Sequence, residues 1–277
     1  MTWTEVRIKI KPSSPGSEIM MALLSEIGYE SFEETEEGLK AYINSANFST
    51  GNLLDIIKGI AENFDISFEY SEIPNQNWNE VWESTYEPVT IRNDIYIRAP
   101  FHKEKPEFRY QLLIEPKMSF GTAHHETTYL MMELMLDEQL GGKRLLDMGC
   151  GTGILAILGE MLGAGNIVAI DNDENAYENA LENVRKNKCK NILVLHGDSG
   201  LINDQYDVIL ANINKNILLD DMDIYADHLS PSGLIFLSGF YESDLEDLKR
   251  QAGGLGLEYD RSMVKNNWMA ARFTKTK

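Results

Sequence analysis

The sequence predicts an α/β fold in which a small α+β domain precedes a mostly parallel, doubly wound sheet. From residue 145 onward, apolar strands alternate with helical patterns, the order that places helices on both faces of a parallel sheet. Residues 1–73 instead follow the order βαββαβ of a ferredoxin-like sandwich. With 277 residues, the chain is long enough for two such domains.

The first domain is predicted over residues 1–73. Its elements are strand 6–10, helix 17–27, strands 29–34 and 39–43, helix 52–62 and strand 66–70. It contains 13 acidic and five basic side chains, so it supplies much of the net charge of −19. No phosphate-binding loop, metal cluster or nucleophile pattern occurs in it. We interpret this domain as a recognition module, and a purely structural role is the alternative.

A polar linker is predicted over residues 74–87. It holds Trp78 and Trp82, which would share one face of a short helix. We expect these tryptophans to dock the linker on a domain, and contact with a substrate is the alternative.

The second domain is predicted over residues 88–277. It begins with a hairpin of strands 89–91 and 95–97. Helices are expected at 127–136, 153–162, 174–186, 214–228 and 242–252, and the fifth strand of the sheet at 234–237. A terminal hairpin of strands 257–264 and 268–273 would add an antiparallel strand, which gives a seven-stranded Rossmann-like sheet.

A glycine-rich turn between two apolar strands is the most informative motif. Gly149 and Gly151 allow a sharp turn and a close approach of a ligand, and Gly153 opens a helix whose N-terminal amides face the same place. Asp171 ends the next strand, where a carboxylate can accept hydrogen bonds from two ribose hydroxyls. The Gly-x-Gly-x-Gly spacing, with Ile154 in place of a later glycine, favours S-adenosylmethionine over NAD.

Polar residues also end the next two strands. Asp198 follows strand 192–195 and could contact an adenine amino group, and Asn212 follows strand 208–211. Because open α/β sheets bind ligands at the carboxyl ends of their strands, these residues are expected to border the same site.

The segment before the glycine turn is the second region of dense chemistry. Phe120 and Gly121 are predicted to lie in a loop that covers the cofactor, followed by a first helical turn that contains Glu126, Thr127 and Thr128. Hydroxyls and free amides of such a turn can bind the carboxylate of a methionine moiety. The neighbouring histidine pair is not interpreted as a metal site, because the spacing of a metal-binding motif is absent.

Residues 120–128 resemble the Phe-Gly-Thr-Gly-x-His-x-Thr-Thr motif of the PrmA family, the methyltransferases of ribosomal protein L11. Residues 146–157, 211–213 and 237–240 resemble further blocks of this family, in the same order along nearly the whole chain. The resemblance implies S-adenosylmethionine-dependent methylation of lysine side chains and an N-terminal amine on ribosomal protein L11, delivered by the first domain. It places cofactor contacts on Thr128, Gly149, Asp171 and Asn212.

The sequence departs from this family at two places. Ala123 replaces a glycine, so the loop is expected to be less free to adopt a positive φ there. Asn214 and Lys215 replace the usual Leu-Ala pair, which affects the expected shape of the amine pocket.

Asn212 is the predicted catalytic residue. A sulfonium is already an activated methyl donor, so the enzyme mainly has to place a neutral amine in line with the methyl group. We expect an amide or backbone oxygen of Asn212 to accept a hydrogen bond from that amine. The alternative is that Asn212 only caps the following helix.

Composition excludes some partners and locations. With 25 basic against 44 acidic residues, a nucleic acid is not expected as a direct substrate, whereas a basic protein would be attracted. Solubility alone is the alternative reason for the charge. No segment is apolar and long enough to span a membrane, and the N-terminus does not resemble a signal peptide, so a cytoplasmic location is expected. A monomer is the default expectation.

Cys150 and Cys189 could form at most one disulfide, and free thiols are the preferred interpretation.

Two other functions compete with this one. A methyltransferase for another protein or a small-molecule amine would share the cofactor residues. A non-catalytic nucleotide-binding module would retain the cofactor site without transferring a methyl group.

Overall fold

The structure is a computed structural model, and it describes residues 2–73, 86–117 and 119–276. The chain separates into two compact units, Met1–Tyr86 and Glu87–Lys277. The predicted linker tryptophans, Trp78 and Trp82, lie outside the described residues.

The first unit is a four-stranded sheet with two helices. Its elements are β1 (Trp3–Lys11), α1 (Ser13–Glu26), β2 (Ser31–Thr35), β3 (Gly38–Asn44), α2 (Thr50–Ile60) and β4 (Asp65–Ile73). The strands lie in the order β2-β3-β1-β4 and all neighbours are antiparallel. Strand β1 alternates strictly, because Val6, Ile8 and Ile10 are buried while the residues between them face solvent. The predicted ferredoxin-like order is confirmed.

The second unit begins with a three-stranded sheet. Strands β5 (Val89–Ile91) and β6 (Ile95–Arg98) form the predicted antiparallel hairpin, and β7 (Tyr110–Leu113) pairs with β6 in parallel. Helix α3 (Glu126–Met135) follows.

The main sheet has seven strands in the order β10-β9-β8-β11-β12-β14-β13. Strands β8 to β12 are parallel, and β14 is antiparallel to both of its neighbours, as predicted for the terminal hairpin. The strands are β8 (Arg144–Met148), β9 (Asn166–Asp171), β10 (Ile192–His196), β11 (Tyr206–Asn212), β12 (Leu229–Tyr241), β13 (Leu257–Lys265) and β14 (Trp268–Lys275). The helices between them are α4 (Ile154–Met161), α5 (Glu174–Lys186), α6 (Lys215–His228) and α7 (Leu245–Gly254).

Both faces of this sheet are covered, which explains its nearly continuous apolar strands. In β11, Val208 and Leu210 belong to the core on one face, and Ile209 and Ala211 to the core on the other. The strand order reverses direction between β8 and β11, and ligands bind at such a switch point. The seven-stranded Rossmann-like fold is therefore confirmed.

Several elements differ in their bounds from the sequence prediction. Helix α1 starts at Ser13 rather than at residue 17, and strands β1, β4 and β12 are longer than predicted. Helix α7 starts at Leu245 rather than at residue 242. A carboxylate oxygen of Asp244 accepts a hydrogen bond from the Tyr241 N–H (3.1 Å), which forms a separate 3-10 turn before the helix. In the part of the chain that the structure describes, no helix has the length and apolar character needed to span a membrane.

A network of ion pairs joins the β5–β6 turn and the terminal hairpin to the end of α3. Asp137 accepts hydrogen bonds from Arg92 (2.7 Å) and Arg261 (2.9 Å), and these two cations lower its pKa to about 2. A carboxyl whose pKa is lower in the folded chain contributes stability above its unfolded pKa of about 3.9, and the contribution is lost as the pH falls toward 2.

We therefore expect Asp137→Asn to lower the free energy of unfolding by about 1 kcal/mol at pH 7, because these partly exposed pairs are screened by solvent. The difference from wild type should shrink between pH 5 and pH 3. Urea unfolding at several pH values measures it. Exposed Glu258, changed to Gln, is the control. A difference that is independent of pH would contradict this assignment.

Candidate active site

The glycine turn is built by positive φ angles. Gly149, Gly151 and Gly153 have φ of 71°, 56° and 76°, which L-residues with a side chain rarely adopt. The carbonyl oxygen of Ile170 accepts hydrogen bonds from the Gly149 N–H (2.8 Å) and the Cys150 N–H (3.0 Å). The end of β9 therefore fixes the start of the turn.

The space left by the missing side chains is occupied by protein atoms. A Cβ at Gly149 would lie 2.3 Å from Cγ2 of Ile213, and one at Gly151 would lie 2.3 Å from the carbonyl oxygen of Phe120. The sequence analysis expected glycine here because a ligand approaches the turn. The structure adds a second reason, since the segments that contain Ile213 and Phe120 pack against the turn.

Gly151→Ala should therefore cost more than the strain of a positive φ. Gly142 also has a positive φ (72°), but a Cβ there would meet no atom within 4 Å, so it is a matched control. We expect Gly142→Ala to lower the free energy of unfolding by about 1–2 kcal/mol, and Gly151→Ala by about 1–3 kcal/mol more. Urea unfolding of both variants tests this, and equal losses would contradict it.

Asp171 holds the glycine turn as well as facing the cavity. Its Oδ2 accepts a hydrogen bond from the Gly151 N–H (2.7 Å), and its Oδ1 accepts one from the Asp173 N–H (3.0 Å). The residue is 8% exposed. A carboxylate oxygen can accept more than one hydrogen bond, so ribose hydroxyls can still be bound. The anchoring of Gly151 was not predicted from the sequence.

Thr152 connects the segment at Phe120 to the glycine turn. Its N–H donates to the Phe120 carbonyl oxygen (2.9 Å), and its hydroxyl donates to the carbonyl oxygen of Gly121. The Phe120 side chain is 52% exposed. Its role in covering a cofactor stays a prediction. Ala123 has φ of 65° and is 2% exposed, so it adopts a left-handed conformation that favours glycine, with its methyl group in the core. The replacement of glycine has therefore not prevented a positive φ at this position.

Helix α3 begins as predicted, but a histidine caps it. The Nδ1 atom of His125 accepts a hydrogen bond from the Thr127 N–H (3.3 Å) and lies 2.8 Å from the Thr127 hydroxyl. One of the first-turn amides that were predicted to bind a carboxylate is therefore already satisfied by protein. Glu126 accepts a hydrogen bond from Nδ2 of Asn266 (2.8 Å), which lowers the pKa of this carboxyl.

Asn212 lies at the carboxyl end of β11. Its Nδ2 donates to the Thr128 hydroxyl (3.2 Å), and its Oδ1 is buried with no hydrogen-bond partner among the described residues. The helix-capping alternative fails, because the side chain of Asn214 caps α6 by accepting from the Ile217 N–H (3.2 Å). Lys215 forms ion pairs with Asp244 and Asp247. Asn214 and Lys215, which replace the usual Leu-Ala pair of the family, therefore both have partners within the protein.

A cavity of about 910 Å³ joins these features, within the size range of small-molecule sites. It extends from Asp171 past Gly149 and Gly151 to Asn212. Its further lining residues are Lys117, Ser119, Phe120, His125, Thr127, Asn172, Asp173, Asn175, Ala176, Glu178, Asn179, Ile213, Asn214, Ile217, Gly239 and Trp268.

Three predicted contacts lie outside that lining. Thr128 is fully buried and reaches the site only through Asn212, and Gly121 is buried behind Phe120. Asp198 is exposed, and its side chain accepts a hydrogen bond from the Gly200 N–H (2.9 Å). The Asp198 carboxylate therefore binds the backbone of the turn after β10, and it is not among the residues that line the cavity.

A row of aromatic rings borders the cavity, and the sequence analysis selected only Phe120 from it. The ring of Trp268 lies 4.8 Å from that of His125 and 4.2 Å from that of Tyr241, and His125 lies 5.1 Å from Phe120. The pairing of β14 with β12 brings Trp268 to this place. No local signal in the sequence distinguishes it from a core tryptophan.

A buried carboxyl supports the site from below. Asp147 accepts a hydrogen bond from the Ala156 N–H (3.0 Å), which secures the start of α4, and burial raises the pKa of Asp147 to about 7.

Cys150 is buried in the turn, and burial raises the pKa of its thiol well above the usual value. Cys150 and Cys189 are both free thiols. Within the described residues, no group of three or more His, Cys, Asp or Glu side chains could hold a metal ion.

Comparison with known proteins gives consistent results. The family model described as ribosomal protein L11 methyltransferase (PrmA) matches residues 3–276. A protein of that name from Porphyromonas gingivalis is 45% identical over 93% of this chain and 90% of its own length. One from Phocaeicola vulgatus is 41% identical over 99% of both chains. A solved structure of ribosomal protein L11 methylase from Lactobacillus delbrueckii subsp. bulgaricus matches with a TM-score of 0.65 and 25% identity, over 69% of this chain and all of its own.

Proposed function

The chain belongs to the ribosomal protein L11 methyltransferase family, and from this premise we propose that it transfers methyl groups from S-adenosylmethionine to amino groups of ribosomal protein L11. The proposed acceptors are lysine side chains and the N-terminal amine. The observation that carries the proposal is the single cavity that joins the Asp171 carboxylate to the Asn212 amide across the glycine turn.

The residues of this cavity fit the proposed cofactor. Asp171 offers carboxylate oxygens to ribose hydroxyls, and the turn at Gly149 and Gly151 provides a surface without side chains. Phe120 flanks the same space. When bound, S-adenosylmethionine supplies a methyl group that is activated by the positive charge on its sulfur.

Asn212 is the proposed catalytic residue. Its buried Oδ1 lacks a partner among the described residues, so it can accept a hydrogen bond from the N–H of an incoming amine and orient the lone pair. In this structure its Nδ2 donates to the Thr128 hydroxyl (3.2 Å), and Oδ1 is the amide atom that remains available. Thr128 is therefore a positioning residue rather than a cofactor contact.

A lysine must lose its proton before it can attack, since its usual pKa is about 10.4. Burial beside the aromatic rings of Trp268 and His125 would favour the neutral amine by desolvation. The described cavity lining therefore does not need a dedicated base for this reaction. The proton can pass to solvent before the amine enters.

We propose residues 1–73 as the domain that recognises ribosomal protein L11, residues 74–87 as a linker and residues 88–277 as the catalytic domain. The support is the separate hydrophobic core of the first unit and its excess of acidic residues, which would attract a basic protein. A ribosomal substrate also supports a cytoplasmic location.

The test is transfer of a tritiated methyl group from S-adenosylmethionine to purified ribosomal protein L11. Wild type should label the substrate, and mass spectrometry of its peptides should find the methyl groups on amines. A chain without residues 1–73 should bind S-adenosylhomocysteine but lose transfer to ribosomal protein L11.

Other outcomes separate the competing functions. Unchanged transfer by the shortened chain would contradict the recognition role. Cofactor binding by wild type without labelling of ribosomal protein L11 would contradict the proposed substrate and favour another amine.

A further inference from the structure

Helix α5 and its C-terminal cap carry four asparagines at four-residue intervals on one face: Asn175, Asn179, Asn183 and Asn187. Asn175 is exposed, and the other three are here called the asparagine ladder. The side chain of Asn187 accepts from the Leu113 N–H (2.9 Å) and donates to the carbonyl oxygens of Leu113 (2.7 Å) and Asn183 (2.8 Å). The amide oxygen and amide nitrogen of Asn187 are therefore both hydrogen-bonded within the protein.

The middle member is also satisfied. Oδ1 of Asn183 accepts from the Glu115 N–H (2.9 Å), and its Nδ2 donates to the carbonyl oxygen of Thr152 (3.0 Å) and to Oδ1 of Asn179 (3.2 Å). Asn183 is 0% exposed. It connects the glycine turn to the segment that leads toward Phe120.

Asn179 differs from the other two. It is 0% exposed, and its Nδ2 has no acceptor among the described residues. Rotating the amide would turn its N–H groups toward the N–H groups of Asn183, so the orientation is fixed. A buried donor without a partner costs about 1–3 kcal/mol, so an acceptor supplied by a ligand would recover free energy that the folded chain gives up.

Asn179 borders the cavity together with Gly151 and Phe120. Because the fixed amide leaves only an N–H available, its ligand must offer an acceptor. The Asp171 carboxylate accepts hydrogen bonds and is negatively charged, so it can bind ribose hydroxyls but would repel a negatively charged group. The cavity also holds Asp173 and Glu178, so a negatively charged group bound here needs donors.

Building on the proposed function, we infer that Asn179 donates a hydrogen bond to the carboxylate of the cofactor's amino-acid moiety. It is thereby a specificity residue, which distinguishes S-adenosylmethionine and S-adenosylhomocysteine from nucleosides that lack the amino acid. The sequence analysis did not select Asn179, because an asparagine within a helix has no motif of its own.

The experiment is calorimetric titration of the full chain with two ligands. S-adenosylhomocysteine carries the carboxylate, and 5′-methylthioadenosine has the same adenosine and thioether without the amino acid. For Asn179→Ala we expect affinity for S-adenosylhomocysteine to fall about 10- to 100-fold, the range of a hydrogen bond to a charged group. Affinity for methylthioadenosine should stay at the wild-type value.

Two further readouts separate this role from a structural one. Urea unfolding without ligand measures the stability that Asn179→Ala loses, which is expected because the change also removes Oδ1, the acceptor for Nδ2 of Asn183. A general loss of structure should weaken both ligands, whereas loss of the donor should weaken only S-adenosylhomocysteine. Asn203, an exposed asparagine outside the cavity lining, is the control, and Asn203→Ala should leave both affinities unchanged.

Equal losses for both ligands, or an unchanged affinity for S-adenosylhomocysteine, would overturn the inference. If Asn179→Ala does not fold, Asn179→Asp retains the acceptor for Asn183 and replaces the donor with an oxygen. It should weaken S-adenosylhomocysteine more than methylthioadenosine, and an equal effect would overturn the inference. Failure of the wild-type chain to bind either ligand would instead contradict the proposed function.

Discussion

Asn212→Ala is expected to lower kcat for methyl transfer about 100-fold or more, the range found when a group that orients a reactant is removed. The reason is that Oδ1 of Asn212 is a buried acceptor without a partner among the described residues, and it lies beside the cavity at the carboxyl end of β11. Single-turnover transfer to ribosomal protein L11 measures the rate of the chemical step. Calorimetry with S-adenosylhomocysteine shows how much of the loss comes from cofactor binding.

Asn214→Ala is the matched control for Asn212→Ala. Asn214 borders the same cavity, two residues further along, but its side chain caps α6. Loss of a cap should lower the free energy of unfolding by about 1 kcal/mol. Its effect on kcat should remain far smaller than that of Asn212→Ala. A similar kcat loss in both variants would indicate general disturbance of the strand end and would contradict the assigned role.

Thr128→Val tests how Asn212 is held. The hydroxyl of Thr128 accepts from Nδ2 of Asn212, so its replacement by a methyl group should let the amide rotate. We expect a lower kcat with a nearly unchanged affinity for S-adenosylhomocysteine, because Thr128 lies outside the cavity lining. A loss of cofactor affinity with unchanged kcat would instead support the direct cofactor contact that the family resemblance implies.

Asp171→Ala is expected to weaken S-adenosylhomocysteine binding about 100-fold, because hydrogen bonds to a charged group contribute about 1.5–3 kcal/mol each. The same change should reduce stability without ligand, since Asp171 also accepts from the N–H groups of Gly151 and Asp173. Calorimetric titration and urea unfolding measure the two effects separately.

The ribose contact can be isolated by changing the ligand instead of the protein. Adenosine should bind the wild-type chain more tightly than 2′-deoxyadenosine, and Asp171→Ala should remove that difference. Persistence of the difference in the variant would place the ribose contact on another residue. It would leave Asp171 with the role of anchoring the glycine turn.

Much of the fold could be predicted because its signals are local. The helix 174–186 was predicted with the bounds that the structure has, since Asp173 supplies a helix cap and an apolar face follows. The central strands β8, β9 and β11 were found because they are buried on both faces and therefore mostly apolar. Helix α7 was placed less well, because the start of that helix depends on how Asp244 binds the preceding backbone.

In the candidate site, too, some features have a local sequence signal and others depend on tertiary contacts. By itself, the sequence determined that a glycine turn, Asp171 and Asn212 occupy the ends of successive strands, because parallel strands bring their carboxyl ends to one edge. Only the tertiary structure decided that Asp198 binds its own turn, that Asn214 rather than Asn212 caps a helix, and that Gly151 makes room for Phe120. Trp268 and Asn179 reach the cavity through strand pairing and helix packing between residues far apart in the chain, and a local pattern does not contain that information.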